Sequence, residues 1–166
     1  MQHKHLKHQA APTPVDGSDK TNTFTGTELA DTFYGGKGTD FMYGGDGSDR
    51  LFGSSGKDQL TGGTGQDWLT GGNGSDLFIY TQAADAGRPD SSDVIMDFKS
   101  GDDKLDLHAF MAGGHFVAAL TAGGGAQVAY NQATGVLSGD VNGDGAADFT
   151  ITMANHTALV ATDFIF

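Results

Sequence analysis

Six aspartates stand nine residues apart: Asp31, Asp40, Asp49, Asp58, Asp67 and Asp76. A carboxylate returned to the same phase six times is a repeated ligand rather than a single catalytic acid. Fifteen of the 27 glycines fall between residues 26 and 79, around these aspartates. Glycine lets the backbone take positive φ and brings carbonyls close to one point. Carbonyls together with carboxylates form the donor set of Ca2+, which takes six to eight oxygens at about 2.3–2.6 Å. Mg2+ fits less well, because it demands a rigid octahedron and keeps its waters.

Other chemistries lack their residues. The chain of 166 residues has no Cys, so it has no disulfide, no reactive thiolate and no Cys-ligated zinc. His108, His115 and His156 are dispersed, no His-Glu-x-x-His is present, and they read as surface or packing residues. No Gly-x-Ser-x-Gly elbow supports a serine nucleophile. Acidic residues number 21 against 9 basic, a net charge of −12, and all but Glu28 of the acids are Asp. That charge disfavours nucleic acid and anionic membranes as partners. No apolar run reaches the ~18 residues of a membrane span.

The period itself dictates the element that must carry these aspartates. Residues 26–79 divide into GTELADTFY, GGKGTDFMY, GGDGSDRLF, GSSGKDQLT, GGTGQDWLT and GGNGSDLFI. Position eight is always apolar: Phe33, Met42, Leu51, Leu60, Leu69, Phe78. Nine fits neither a 3.6-residue helix nor an unbroken strand alternation. It fits a solenoid in which each repeat is one turn, positions one to six, and one short strand, positions seven to nine. Two repeats close a coil of 18 residues, so the turns that stack are two repeats apart. The stacked pairs are Asp31/Asp49, Asp40/Asp58, Asp49/Asp67 and Asp58/Asp76, which predicts four cation sites, two on each edge. One apolar side chain per nine residues does not offset an ordering cost of about 1–2 kcal/mol per residue. The repeat is therefore expected to draw its folding free energy from the cation.

The remaining sequence reads more simply. Residues 1–22, with His3, His5 and His8 among lysines, are expected to be a disordered leader or a tag. Residues 23–79 form the roll, and 80–166 form a cap. Within the cap, 80–92 is a polar loop, and DVIMDF (93–98) and KLDL (104–107) are strands. Residues 113–166 are expected to form antiparallel strands, with turns at Asn131–Gly135 and Asn142-Gly143. The Asp140–Asp148 stretch has oxygens at EF-hand-like spacing, but Ile151 stands where the bidentate Glu belongs, so it reads as a plain hairpin. Trp68 falls outside the core face and reads as packing rather than as a sugar platform.

The pattern Gly-Gly-x-Gly-x-Asp-x-apolar-x is the RTX nonapeptide, already known as a calcium-binding repeat. Four repeats match it fully; GSSGKDQLT puts Ser54 at the second Gly, and GTELADTFY keeps only the first Gly and the Asp. With DVIMDFKSGDDKLDL, YNQATGVLSGDVNGDGAADF and the terminal DFIF, residues 26–166 resemble the C-terminal region of serralysin-type secreted metalloproteases. The resemblance implies an all-β fold, a parallel β-roll followed by an antiparallel β-sandwich-like cap. It implies Ca2+, about four ions or more. The ligand sets it implies are Gly36, Gly38 and Asp40 with Gly53, Ser55 and Asp58; Gly45, Gly47 and Asp49 with Gly62, Thr64 and Asp67; and Ser54, Gly56 and Asp58 with Gly71, Asn73 and Asp76. A fourth is Thr27, Leu29 and Asp31 with Gly44, Asp46 and Asp49, where glycines are missing. Gly63, Gly65, Gly72 and Gly74 belong to the implied metal-binding positions as well, and the resemblance implies a last site closed by Asp93 or Asp97.

The resemblance further implies a non-catalytic module, secreted from a Gram-negative cell through a type I apparatus into the extracellular medium. Asp163, Phe164, Ile165 and Phe166 resemble the uncleaved C-terminal signal that this apparatus reads. The partners implied are that apparatus and an upstream domain of the same parent protein, with the module itself a monomer. The R-modules of mannuronan C5-epimerases look similar, which leaves alginate binding as the alternative. Lys37, Arg50 and Lys57 are the only cations in 26–79, which argues against an acidic glycan.

Overall fold

The computed structural model describes residues 4–7, 14–88 and 90–166. The strands in chain order are β1 (Lys4–Lys7), β2 (Val15–Ser18), β3 (Asn22–Thr25), β4 (Thr32–Gly38), β5 (Phe41–Asp46), β6 (Arg50–Gly56), β7 (Gln59–Thr64), β8 (Trp68–Gly74) and β9 (Leu77–Ile79). Next come a single helical turn α1 (Ala83–Ala86), β10 (Asp93–Ile95), β11 (Lys104–Asp106) and a second turn α2 (His108–Met111). The chain finishes with β12 (His115–Val117), β13 (Gln127–Asn131), β14 (Val136–Asp140), β15 (Phe149–Met153) and β16 (Phe164–Ile165).

Successive roll strands alternate between two sheets, because each Gly-rich turn reverses the chain across the molecule. The odd strands β1, β3, β5, β7 and β9 lie side by side in one sheet, and β2, β4, β6 and β8 in the other. All these pairings are parallel and in one register: Phe33 faces Leu51, Leu51 faces Leu69, and Met42 faces Leu60. The partners are 18 residues apart, so the coil has the length the repeat predicts. Position eight points inward throughout. Phe33, Met42, Leu51, Leu60, Leu69 and Phe78 are all buried between the sheets.

The C-terminal part grows from both sheets of the roll. β10 pairs parallel with β8, and β11 pairs parallel with β9. β13, β14 and β15 form the antiparallel part, and β15 joins the roll through a parallel pairing with β10. The strands at 115–117 and 164–165 differ from the antiparallel expectation: β12 runs parallel to β13, and β16 parallel to β11. The reason is topological. Each reaches its neighbour by a crossing connection rather than by a hairpin. The core runs unbroken from Phe24 through the roll to Phe98, Leu105, Phe149 and Met153. The Phe149 ring lies on Gly139, where a methyl group would sit 2.0 Å from it.

The roll begins earlier than residue 23. β1 and β2 fall inside the stretch expected to be a leader or tag, and Val15 pairs with Phe33 in the register of the later coils. Residues 1–3 and 8–13, with His3 and His8, lie outside the described residues.

Candidate metal centre

Each position-six aspartate sits at the end of a turn with its carboxylate folded back under the neighbouring coil. From Asp40 onward, Oδ1 accepts the main-chain N–H of the position-six residue one coil earlier. Asp31 donates to Asp49 at 2.7 Å, Asp40 to Asp58 at 2.8 Å, Asp49 to Asp67 at 2.7 Å and Asp58 to Asp76 at 2.9 Å. Two ladders of carboxylates therefore run along the two edges of the roll. Both continue past the last nonapeptide. Asp67 donates to Asp93 at 2.8 Å, and Asp76 donates to Asp103 at 2.9 Å.

The second oxygen is the chemically open one. In Asp40, Asp49, Asp58, Asp67 and Asp76, Oδ2 is buried and accepts no hydrogen bond, while Asp93 has the buried Tyr80 hydroxyl beside it. A buried acceptor left without a donor costs about 1–3 kcal/mol, and more when charged. The electrostatics register that cost. Burial pushes the Asp49 carboxyl up to about 7, against the pull of the Asp31 N–H and with added repulsion from Asp67, Asp31 and Asp46. Burial likewise lifts Asp58 and Asp67 to about 6 and Asp93 to about 8. Asp40, Asp76 and Asp103 are raised by the same cause. Such a carboxylate is relieved by a proton or by a cation.

Carbonyl oxygens face the same gaps between stacked turns. At position four, a methyl group built on Gly56 would lie 1.5 Å from Gly38 O, and on Gly65 or Gly74 1.6 Å from Gly47 O or Gly56 O. At position two, one on Gly63 would lie 1.9 Å from Gly45 O. Position one meets the carboxylate instead: a methyl on Gly44 or Gly62 would sit 2.2 Å from Oδ2 of Asp49 or Asp67. Among the five repeats after the first, Ser54 is the exception at position two, a non-glycine held at φ 79°. Among the described residues, no group of three or more His, Asp or Glu side chains converges on one point. A cation in these gaps would take its ligands largely from main-chain carbonyls. The all-oxygen donor set with paired carboxylates fits Ca2+.

The individual candidates divide into three kinds. The Gly, Ser and Thr positions of the four middle turns stand in stacked register: Gly36 beside Ser54, Gly38 beside Gly56, Gly45 beside Gly63, and Ser55 beside Asn73. The first turn is built differently. The Thr27 N–H and Oγ1–H donate to Oδ2 of Asp31 at 2.8 and 3.0 Å, and Leu29 is exposed. Asp46 accepts the Thr64 hydroxyl at the surface. Asp93 and Asp97 are not alternatives. Asp93 takes the rung after Asp67, whereas Asp97 accepts the N–H groups of Gly71 and Gly72 at 2.9 and 2.8 Å and covers the last turn of the opposite edge.

Three residues escaped the sequence reading. Asp103 takes the rung after Asp76. Asp85 lies nine residues beyond Asp76 and is gripped by Thr81 and Gln82, much as Asp31 is by Thr27. The shared signal is a Thr four residues before an in-phase Asp. Asn22, nine before Asp31, donates its N–H to Oδ1 of Asp40 at 2.7 Å.

Two other sequence features are now placed. Asp163 is fully buried; Oδ2 accepts the Ser100 hydroxyl at 2.7 Å and the Val160 N–H at 2.9 Å, and Oδ1 accepts the Gly101 N–H at 3.0 Å. Phe164 stacks between Phe116 and Phe166. In the Asp140–Asp148 loop, Asp140 accepts the N–H groups of Gly143 and Gly145, both at 2.7 Å.

Comparison with known proteins follows the same outline. Residues 31–166 match the family model described as the peptidase M10 serralysin C terminal. A metallopeptidase, AprA of Pseudomonas marginalis, is 38% identical over 87 residues, 49% of this chain and 18% of that protein. The metalloprotease AprA of Pseudomonas entomophila is 38% identical over 97 residues, 53% of this chain and 19% of that protein. The aligned part thus spans about a fifth of the length of these relatives. The solution structure of the AlgE6R3 subunit from an Azotobacter vinelandii mannuronan C5-epimerase superposes with a TM-score of 0.56 at 28% identity, covering 90% of this chain and 80% of that one.

Proposed function

We propose, from the premise that this chain belongs to the family of M10 peptidase serralysin C-terminal regions, that it is a calcium-binding RTX module whose roll folds as it takes up Ca2+. The observation that carries this reading is the set of five buried position-six Oδ2 atoms without a hydrogen-bond partner, repeated along both edges. The position-six aspartates and the carbonyls of positions one to four would hold the ions. Bound calcium supplies charge neutralisation in each gap. The protein supplies the rest: a fixed register that stacks the turns, and a thin apolar core between them.

In this reading the module has no catalytic role. It serves a longer secreted protein as a folding and stabilising unit. Asp163–Phe166 act as the type I secretion signal, read while the chain is still unfolded in the low calcium of a Gram-negative cytosol. Millimolar calcium outside the cell then folds the roll.

The test is a calcium titration followed by far-UV circular dichroism and calorimetry. A cooperative gain of β signal with about four or more ions per chain is expected. Identical spectra with and without calcium would remove the coupling. A second reading, alginate binding, is supported by the likeness to the epimerase subunit and by the outer face of the nine-stranded sheet. There Tyr34 and Phe52 stack at 4.7 Å, and the Arg50 guanidinium lies 4.8 Å from the centre of the Trp68 ring. Titration of alginate oligomers into the calcium-loaded protein separates the two, since a module with only a folding role gives no heat.

A further inference from the structure

The first gap of the roll is filled by the protein itself. Ser18 stands beside Gly36 in the ladder, which makes Ser18, Lys20 and Asn22 the positions two, four and six of a turn one coil before Gly35–Asp40. In every later gap on this edge the position-six residue is an aspartate. Here it is an asparagine, almost fully buried. Its side-chain Nδ2 donates to Lys20 O, to Gly35 O at 3.4 Å and to Asp40 Oδ1 at 3.0 Å. Its Oδ1 is turned away and accepts the Ser18 hydroxyl at 3.2 Å. Lys20 O is a position-four carbonyl, Gly35 O is a position-one carbonyl, and Asp40 is the position-six carboxylate. These are the oxygen types that surround a cation in the proposed sites.

An amide NH2 presents two hydrogens that carry partial positive charge, so it satisfies oxygens that would otherwise repel one another. It does so without an ion and independently of calcium concentration. Asp40 Oδ2 is not used by this contact and stays free for the gap shared with Asp58.

We infer that the Asn22 amide takes the place of a cation in the gap between the Ser18–Asn22 turn and the Gly35–Asp40 turn, so that this gap binds no calcium and the count on this edge starts at Asp40/Asp58. The inference rests on the calcium-binding reading above. It assigns Asn22 as the residue that decides where the metal sites begin. It also leaves the first coil already bonded to the second before any ion arrives.

Two variants test it, both counted by calorimetric titration from the calcium-free protein up to saturating calcium, where the later coils are held together. Asn22→Asp restores a carboxylate and removes the amide donor, and is expected to bind one ion more per chain than the wild type. Asn22→Ala removes the plug without adding a ligand, and is expected to bind the same number of ions with a lowered melting temperature. An unchanged count in Asn22→Asp, or one ion lost in Asn22→Ala, would overturn the inference, the latter by showing that Asn22 is itself a ligand. A wild-type chain that binds no calcium would instead overturn the reading beneath it.

Discussion

The main-chain N–H of Asp67 donates to Oδ1 of Asp93 at 2.8 Å across 26 residues of sequence. Every earlier rung on that edge spans 18. The eight extra residues loop out through α1 and return the chain to the same place in the stack. Asp93 thus ends the ladder with a carboxylate that burial holds near 8. Asp93→Asn is expected to keep much of the N–H contact and lose the charge. It should bind one calcium fewer and melt lower in calcium. Calorimetry reads both, and an unchanged ion count would remove Asp93 from the ligand set.

Ser54 occupies a backbone conformation that glycine holds at every equivalent full repeat. Its φ of 79° costs an L-residue about 1–2 kcal/mol. Ser54→Gly is expected to raise stability in calcium by about 1 kcal/mol, reduced by glycine's greater freedom when unfolded. A urea melt that shows destabilisation would mean that the Ser54 side chain makes a contribution exceeding its strain.

Two glycines separate close approach from backbone strain. Gly101 is at φ 91° with nothing within 4 Å of an added methyl group, so Gly101→Ala should cost only about 1 kcal/mol of strain. Gly44→Ala would set its methyl 2.2 Å from Asp49 Oδ2 and 2.5 Å from Gly62 O. It is expected to cost more, and to weaken calcium binding as well. Equal melting temperatures for the two variants would contradict the packed geometry of the turn.

The buried carboxyls predict a pH dependence for the calcium-free protein. Their folded-state pKa values lie above the ordinary 3.8, at about 6 for Asp58 and Asp67, 7 for Asp49 and 8 for Asp93. The folded state therefore binds protons more tightly than the unfolded one. That stabilisation is complete below about pH 4 and is lost as pH rises through 6 to 8. Without calcium, β signal at pH 5 should exceed that at pH 8. With calcium, the midpoint concentration should rise as pH falls, because protons and ions compete for the same oxygens. A calcium-free signal that stays flat between pH 5 and 8 would contradict the burial of these groups.

Asp163 closes the molecule's other end. Asp163→Ala would leave the N–H groups of Gly101 and Val160 without their acceptor, at a cost of about 2–4 kcal/mol. The loss should appear in urea melts of the calcium form. If stability is unchanged, the hydrogen bonds of Asp163 contribute nothing to the fold.

The roll was legible because its period fixes everything at once. A nine-residue step places each Asp, each inward apolar residue and each 18-residue pairing. Legibility failed where the period is carried by other residue types. Val15 and Phe24 hold position eight ahead of Phe33, but Gly17 is the one glycine in their turns, so composition pointed to a leader. Asp103 keeps the nine-residue phase but lies 27 residues after Asp76 rather than one 18-residue coil, and only the folded path of residues 80–102 brings it beneath Asp76. The parallel pairings of β12 and β16 depend on crossings between distant segments, which short alternating strands do not encode.

The carboxylate ladders have a kinetic consequence. Asp49 belongs to two gaps, one shared with Asp31 and one with Asp67, and Asp58 likewise sits between Asp40 and Asp76. An ion in the middle of an edge is held by turns that its neighbours also hold, whereas an outermost ion has support on one side only. Release should therefore run like a zipper, from the ends inward, with interior ions exchanging last.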